Sequence, residues 1–500
     1  MFSCLDASIV STALVSVSVE LQNYHDTPWV VLAYLLTYMS FAVGFSKLSD
    51  VYGRKNILAV AWLLFTLGSV WCGIARRMGE LIAGRAVQGV GGSGLYSLAQ
   101  VCLLEQGPSR PEVVGALVGI TLSVSFILGP LLGGVLAEWN WRGIFCIPFG
   151  ALAVLGIYAL WPEERRNRYD ATTALAKMDF LGNFLLAAAS ILLVFGMQEA
   201  GSLVWSWSSP VIVCSLVIAG VCWVLLVAWE YYLFHWPSSS QKIEPIFPVH
   251  LARDRVYLSC LLTTLLQGLP YLTLTTKLPE YLQLLHADTA LTAGTHLAPM
   301  LGSCAAGSFL GGALSKHRNR TAPTAVAGGV LQALGNGMAL APLLGCTAVY
   351  GLGVGLGFAA CTMVAATQAR GGGLAAAQGA VAQARVFGGA LGMAAGTILL
   401  DGRLRAAEVG PAGLAGGPEL ERVERSLMAV LALPEGARRE VMLLLAVVAG
   451  VGLLVSLGMY KSKPGRVVEA MEHHKELAGR QGGRGDVELS SVSSVRSLVR

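Results

Sequence analysis

Four ionisable side chains stand inside otherwise apolar runs of this chain: Asp6, Arg85, His296 and Arg385. Away from water such groups are costly, and they mark sites of function by default. Asp6 can change its charge by binding a proton. Apolar surroundings make a carboxylate hold its proton, and a nearby guanidinium makes it let go, so an acid whose surroundings alternate can load and unload one. Arg85 cannot shed its proton and needs an acceptor. It sits in Gly84-Arg85-Ala86-Val87-Gln88-Gly89, with Gln88 and Gly89 on the next turn. Arg385 lies about ten residues into its own apolar run, too deep for its head group to reach an interface easily. Gln283 and His296, the latter beside Pro299, are the weaker candidates for contact with a cargo. The chain has no nucleotide-binding loop, metal cluster or nucleophile constellation, so an enzyme, a metal site and a cofactor are not expected. Its 10 cysteines are scattered singly through apolar runs, without ligand or disulfide spacing.

The elements that must position these groups are long apolar helices. Of 500 residues, 54% are hydrophobic and 13% charged, about half the charge of a soluble domain. The charges clump between uncharged runs of about 20 residues, the pattern of an all-α polytopic membrane protein. The expected spans are residues 27–46, 56–75, 81–104, 113–137, 143–161, 180–198, 209–229, 256–276, 289–314, two within 321–369, 375–400 and 441–460. Pro342 and Gly345 supply the turn inside 321–369. With a first segment around Asp6 the count is about 14. That segment has an uncharged run only from Ala7 to Val19, shorter than a full crossing, and is expected to be either a short, tilted helix or a truncated span.

If the N-terminus is cytoplasmic, the inner short loops hold about fifteen Lys/Arg and the outer ones about three. An even span count returns the tail to the same side. The Asn319-Arg320-Thr321 sequon then lies inside and carries no glycan. The tail, 461–500, is rich in Gly, Ser and charge and is expected to be a disordered cytoplasmic segment. Basic residues fall in short loops instead of on one continuous face, which argues against nucleic acid as a partner. Trp29, Trp139, Trp141, Trp205 and Trp207 fall near span ends and read as interface anchors.

Two further stretches concern motion. Ser125, Gly129, Gly133 and Ala137 recur every four residues, so one helix face is nearly bare and admits a second helix to backbone contact. Pro130, inside Gly129-Pro130-Leu131-Leu132-Gly133-Gly134, should bend that helix. Gly44, Asp50, Gly53, Arg54 and Lys55 occupy a short connection after the second span, where acid and base can bridge one helix end to the next. Similar residues recur about 260 positions later: Gly312 to Arg320 echo the basic connection, and Gly388, Gly389 and Gly392 echo Gly129, Gly133 and Gly134. The repeat divides the chain into six spans, two linker spans and six spans, with a bundle over 1–161, a linker over 162–255 and a second bundle over 256–460.

In these motifs the chain resembles the major facilitator superfamily, and within it the fourteen-span drug:proton antiporters of the fungal type. The residues from Gly44 to Lys55 are similar to the family's first conserved loop, and Gly84 to Gly92 to its fourth-span motif, which would make Arg85 the proton-linked arginine. Gly129 to Gly134 resemble the antiporter motif, which marks exporters. Leu5 to Leu14 resemble the first-span motif, with Asp6 at its acidic position. Leu278 to Gln283 and Arg385 to Gly392 are similar to second-half signatures. Departures are Val15 where a proline is usual, Ser125 where a glycine is usual, and the lack of an acid in the second-half loop.

The resemblance implies the major facilitator fold and a proton-coupled exporter of small organic molecules working by alternating access. Asp6, Arg85, Gln88 and Arg385 would couple proton to cargo, and Gly44, Asp50, Gly53, Arg54, Lys55, Gly89, Gly129, Pro130, Gly133, Gly134, Gly388 and Gly389 would serve the motion. The only coupling partner would be the proton gradient. The expected setting is a monomer in the plasma membrane, or else the vacuolar membrane, with both termini in the cytoplasm. Carriers of siderophores or amino acids share the fold, as would a non-transporting relative, which the short first span favours. The antiporter motif argues against import.

Overall fold

The computed structural model describes residues 2–23, 25–106, 111–145, 156, 159, 179–202, 205–235, 254–285, 288–314, 320–337, 343–368, 374–406 and 435–460. Among the described residues it is built of α-helices, with one 3-10 turn and no strand. In chain order these are α1 (Phe2–Glu20), α2 (Thr27–Tyr52), α3 (Arg54–Ile74), α4 (Met78–Gln106), α5 (Pro111–Asn140), the 3-10 turn (Trp141–Ile144), α6 (Phe180–Gly201), α7 (Pro210–His235), α8 (Arg255–Leu285), α9 (Ala290–Leu314), α10 (Thr321–Gly337), α11 (Leu343–Gln368), α12 (Leu374–Ala406) and α13 (Glu435–Leu457). Seven of the described helices are long and apolar enough to cross a bilayer.

Local chemistry sets the boundaries. Pro28 stands in the first turn of α2, where its missing N–H costs nothing. Gly53 alone separates α2 from α3, with φ 88°, a conformation that side chains with a Cβ avoid. Asp179 caps α6 by accepting from the Gly182 amide at 2.7 Å. Asn140 accepts from the Arg142 amide at 3.0 Å and opens the 3-10 turn.

The helices fall on the expected spans, with local differences. Gly345 belongs to α11 and not to a turn: it is the third residue of the helix, exposed and with open space where a side chain would stand. Pro130 stands within a helix continuous from Pro111 to Asn140. Of the expected span 143–161, residues 143 and 144 are in the 3-10 turn and most of the rest lies outside the described residues, as do the loop 162–178, the sequon's Asn319, Pro342 and the tail. The side chain of Asp50 is also outside them.

The packing repeats across the two parts of the chain. α1 lies on α5, α2 and α3 lie on α4, α8 lies on α12, and α9 and α10 lie on α11. The parts meet through a reciprocal exchange: α5 packs on α9, and α12 packs on α2. α6 and α7 pair with each other, and α6 leans on α12 and α2. On α7 only 22% of the apolar stretch is buried. Its exposed Val217, Val224 and Val227, with Leu63, Leu67 and Ile74 of α3, form the apolar surface expected against lipid tails.

Candidate functional site

Asp6 and Arg85 meet inside the bundle. Arg85 Nη1 lies 2.6 Å from Asp6 Oδ2. The two residues are 1% and 4% exposed, so this is an ion pair removed from water. Gln88, one turn beyond Arg85, donates from Nε2 to Asp6 Oδ1 at 2.8 Å and to Ser69 Oγ at 2.9 Å, and its Oε1 accepts from Arg85 Nη1 at 2.6 Å. Arg85 Nε donates to the Val30 carbonyl at 3.0 Å. Its guanidinium also lies over the Tyr34 ring, 4.3 Å from the centroid. The Tyr34 hydroxyl is 2.9 Å from Ser3 Oγ. One acid on α1 is thereby tied to α4 directly, to α3 through Ser69, and to α2 through Val30 and Tyr34. Two acceptors besides the carboxylate share the buried charge of Arg85, which is how a low-polarity interior tolerates an arginine.

Ser69, Tyr34 and the Val30 carbonyl are members of the cluster that sequence reasoning missed. A serine or tyrosine in an apolar helix is too common to stand out, and a carbonyl has no sequence signature.

The glycines beside the cluster explain how α1 is held. A Cβ added at Gly129 would collide with Ser8, and one at Gly133 with the Ile9 carbonyl and Thr12. Ser8 Oγ also donates to the Ser125 carbonyl at 3.4 Å. The bare face of α5 therefore seats α1 within two residues of Asp6. The other face of α5 meets α9: a Cβ at Gly134 would strike Leu291, and one at Gly294 would strike the Pro130 carbonyl. Gly388 and Gly389 play the corresponding part on α12, against Leu265 and Leu272 of α8. Gly89 lets α4 approach the Tyr34 carbonyl and Thr37 of α2.

The other sequence candidates lie apart. Arg54 reaches back from α3 to the end of α2, donating to the Ser46 carbonyl at 3.3 Å and to Ser49 Oγ. Lys55 and Gly44 are half-buried there. Gln283 donates to the Thr12 carbonyl at 3.1 Å, joining α8 to α1. His296 is half-buried on α9 and is not brought to the Asp6 cluster. Arg385 is half-buried on α12, with Nη1 donating to the Tyr96 hydroxyl at 3.1 Å and its guanidinium 3.9 Å from the Phe358 ring centroid.

Two tryptophans read as lipid anchors have carboxylate partners. Trp29 Nε1 donates to Glu199 of α6 at 2.8 Å, and Trp141, 2% exposed, donates to Glu20. Arg142 pairs with the same Glu20. Trp139, Trp205 and Trp207 are exposed.

Comparison with known proteins places this geometry. The family model of the Major Facilitator Superfamily matches residues 1–393. The chain is 33% identical over 428 residues to the "MFS-type transporter FPY5" of Fusarium mangiferae, covering 81% of this chain and 71% of that protein. It is 29% identical over 321 residues to the "Efflux pump dotC" of Dothistroma septosporum strain NZE10, covering 62% of this chain and 53%, about half, of that protein's length. Among solved structures, the human organic anion transporter MFSD10 superposes with a TM-score of 0.57 at 14% identity, covering 91% of this chain and 97% of that one, which is a likeness of fold.

Proposed function

The chain belongs to the major facilitator superfamily of membrane transporters, and from that premise we propose that it is a proton-coupled exporter of small organic molecules. The observation that carries the reading is the buried Asp6–Arg85–Gln88 cluster, wired to four helices and seated on the glycine face of α5. That relatives include a protein named an efflux pump supports the direction of transport.

The coupling follows from charge. With Asp6 ionised, the pair is neutral as a whole and α1 is tied to α4. When Asp6 takes a proton, Arg85 stays charged and loses its counter-ion, keeping neutral partners such as the Val30 carbonyl, the Gln88 amide oxygen and the Tyr34 ring. A buried cation without a counter-ion is costly, so the protonated protein favours an arrangement in which Arg85 reaches water. α1 sits on α5, and α5 sits on α9 across the seam. A shift of α1 therefore moves the junction between the six-helix bundles, and the smooth glycine contacts let the bundles rock without interlocking side chains. Proton binding and cargo binding then favour opposite-facing states, which is exchange by alternating access.

In this reading the fourteen-span protein works as a monomer in the plasma membrane, with both termini in the cytoplasm and no cofactor beyond the proton gradient. A glycan on Asn319 in cells would overturn that orientation. The functional test is Asp6→Asn reconstituted into liposomes. Flux driven by a pH gradient is lost while surface expression in cells is unchanged. Gradient-driven flux at the wild-type rate would refute the assignment.

A further inference from the structure

Two arginines stand inside apolar helices of this bundle, Arg85 buried and Arg385 half-buried, and they differ in one further respect. Arg85 has Asp6, whereas Arg385 has no carboxylate within ion-pair distance among the described residues. A guanidinium keeps its charge at any accessible pH, so Arg385 is a standing positive charge within an apolar helix. Its surroundings blunt that charge without cancelling it. Phe358 of α11 covers one face of the guanidinium, and the Tyr96 hydroxyl accepts from Nη1. Nε has no hydrogen-bond partner. Alongside, Gln267 of α8 is 2% exposed and its Oε1 is unpartnered. Gln267 lies against Gly357, the residue before Phe358, and the adjoining Gly268 packs on the Arg385 carbonyl. Buried polar groups are hydrogen-bonded as a rule; the unpartnered Arg385 Nε calls for an acceptor, and the Gln267 amide, turned over so that its N–H replaces its oxygen, donates toward the same acceptor.

The same place is walled by aromatic rings. Tyr96 and Tyr38 have centroids 6.1 Å apart, and Phe358 lies against the guanidinium that Tyr96 bonds. Tyr96 and Tyr38 belong to α4 and α2, while Arg385, Phe358 and Gln267 belong to α12, α11 and α8. The wall therefore spans both parts of the molecule, where a cargo must touch both to be passed between them. Arg385 and Tyr96 are half-buried, whereas Tyr38 and Phe358 are 6% and 4% exposed. Arg385 and Tyr96 are thus the more open members of the group.

We propose that Arg385, with Tyr96 and Gln267, is the subsite that reads the acidic group of the cargo, and that the preferred cargo is a flat aromatic molecule bearing a carboxylate or ionised phenol. The guanidinium fork meets the anion, and the half-buried Tyr96 ring stacks on the ring of the cargo. This rests on the reading of the chain as a carrier of small organic molecules, and it is independent of proton coupling.

Equilibrium binding to the full chain in lipid nanodiscs tests it, followed by quenching of intrinsic tryptophan fluorescence. The probes are 1-naphthoate and its neutral analogue 1-naphthamide, which share ring and size. Wild type is expected to bind naphthoate at least about tenfold tighter than naphthamide, the scale of a charge-assisted hydrogen bond. Arg385→Gln erases the preference by weakening naphthoate alone, and Arg385→Lys, which keeps the charge but not the fork, retains part of it. Asp6→Asn keeps the preference, so failure of the coupling scheme would leave this result intact. Equal affinity of wild type for both probes, no binding of naphthoate, or an equal loss of both probes in Arg385→Gln would overturn the proposal. The last outcome would make Arg385 a strut between α12 and α4.

Discussion

Replacing Asp6 by Asn changes almost nothing in size and removes the negative charge paired with Arg85. The structure says what else is lost. Arg85 can still donate to the remaining amide oxygen, but the Gln88 amide then faces an NH2 group and cannot donate to it. One of two bonds to residue 6 survives, now to a neutral group. Removing one partner of a buried ion pair costs about 3–5 kcal/mol. With one bond kept, about 2–4 kcal/mol is the reasonable range for the shift away from the arrangement seen here. At about 1.4 kcal/mol per factor of ten, that is about thirtyfold to several hundredfold in the balance of conformations. The variant mimics a permanently protonated protein. It is expected to exchange labelled for unlabelled cargo across a liposome membrane without a gradient, and to fail to accumulate cargo when a pH gradient is applied. Paired counterflow and gradient-driven uptake assays on one preparation separate the two. An Asp6→Asn protein that accumulates cargo like wild type would refute the reasoning, and so would one that loses counterflow while remaining folded.

Other outcomes follow from the same contacts. Gly129→Leu drives a side chain into Ser8 and the backbone of α1; overpacking of this kind costs about 1–3 kcal/mol and should lower the unfolding temperature and the flux together. Gly143→Ala, whose added Cβ meets only Leu136 at 3.6 Å among the described residues, should leave both near wild type in the same thermal scan. Gln88→Leu removes the bonds to Asp6, Arg85 and Ser69 and should depress gradient-driven flux more than counterflow, measured as above. Trp29→Phe keeps the ring against Phe195 but loses the bond to Glu199, a loss of about 1.5–3 kcal/mol for a charged acceptor. Its thermal unfolding should fall while the naphthoate preference persists, and an unchanged melting curve would show that α6 is not held to α2 by that bond.

The fold was legible because bilayer thickness sets the length of apolar runs and charges must fall between them. Asp6 and Arg85 were legible for the related reason that ionisable groups inside such runs are rare. What stayed hidden was pairing over long sequence distances between ordinary residues. Trp29 and Trp141 look like interface anchors wherever they stand near a span end. Only the fold brings Glu199 and Glu20 to their indole nitrogens, 170 and 121 residues away. Gly345 read as a turn because glycine weakens a helix interior, but it stands in the first turn of α11, where a helix boundary and a turn carry the same signal. The glycine face of α5 was visible as a spacing of four, but its two partners, α1 on one side and α9 on the other, were not.

The central claim is that protonation of Asp6 moves the two helix bundles relative to each other, and it can be tested without knowing the cargo. Asn56 at the start of α3 and Arg320 before α10 are exposed; the last turns of α1 and α5 and the first turn of α9 share one end of the bundle, so the chain reversals through α2 and α9 bring both residues to the opposite end, one in each part of the molecule. With spin labels at these two positions, in a background lacking the native cysteines, pulsed electron–electron distance measurements in nanodiscs report the opening directly as pH is varied. Two distance populations whose ratio changes with pH in wild type, and a single ratio fixed at all pH values in Asp6→Asn, are the expected result. A wild-type distribution that does not respond to pH, or an Asp6→Asn distribution that responds in the same way as wild type, would contradict the account.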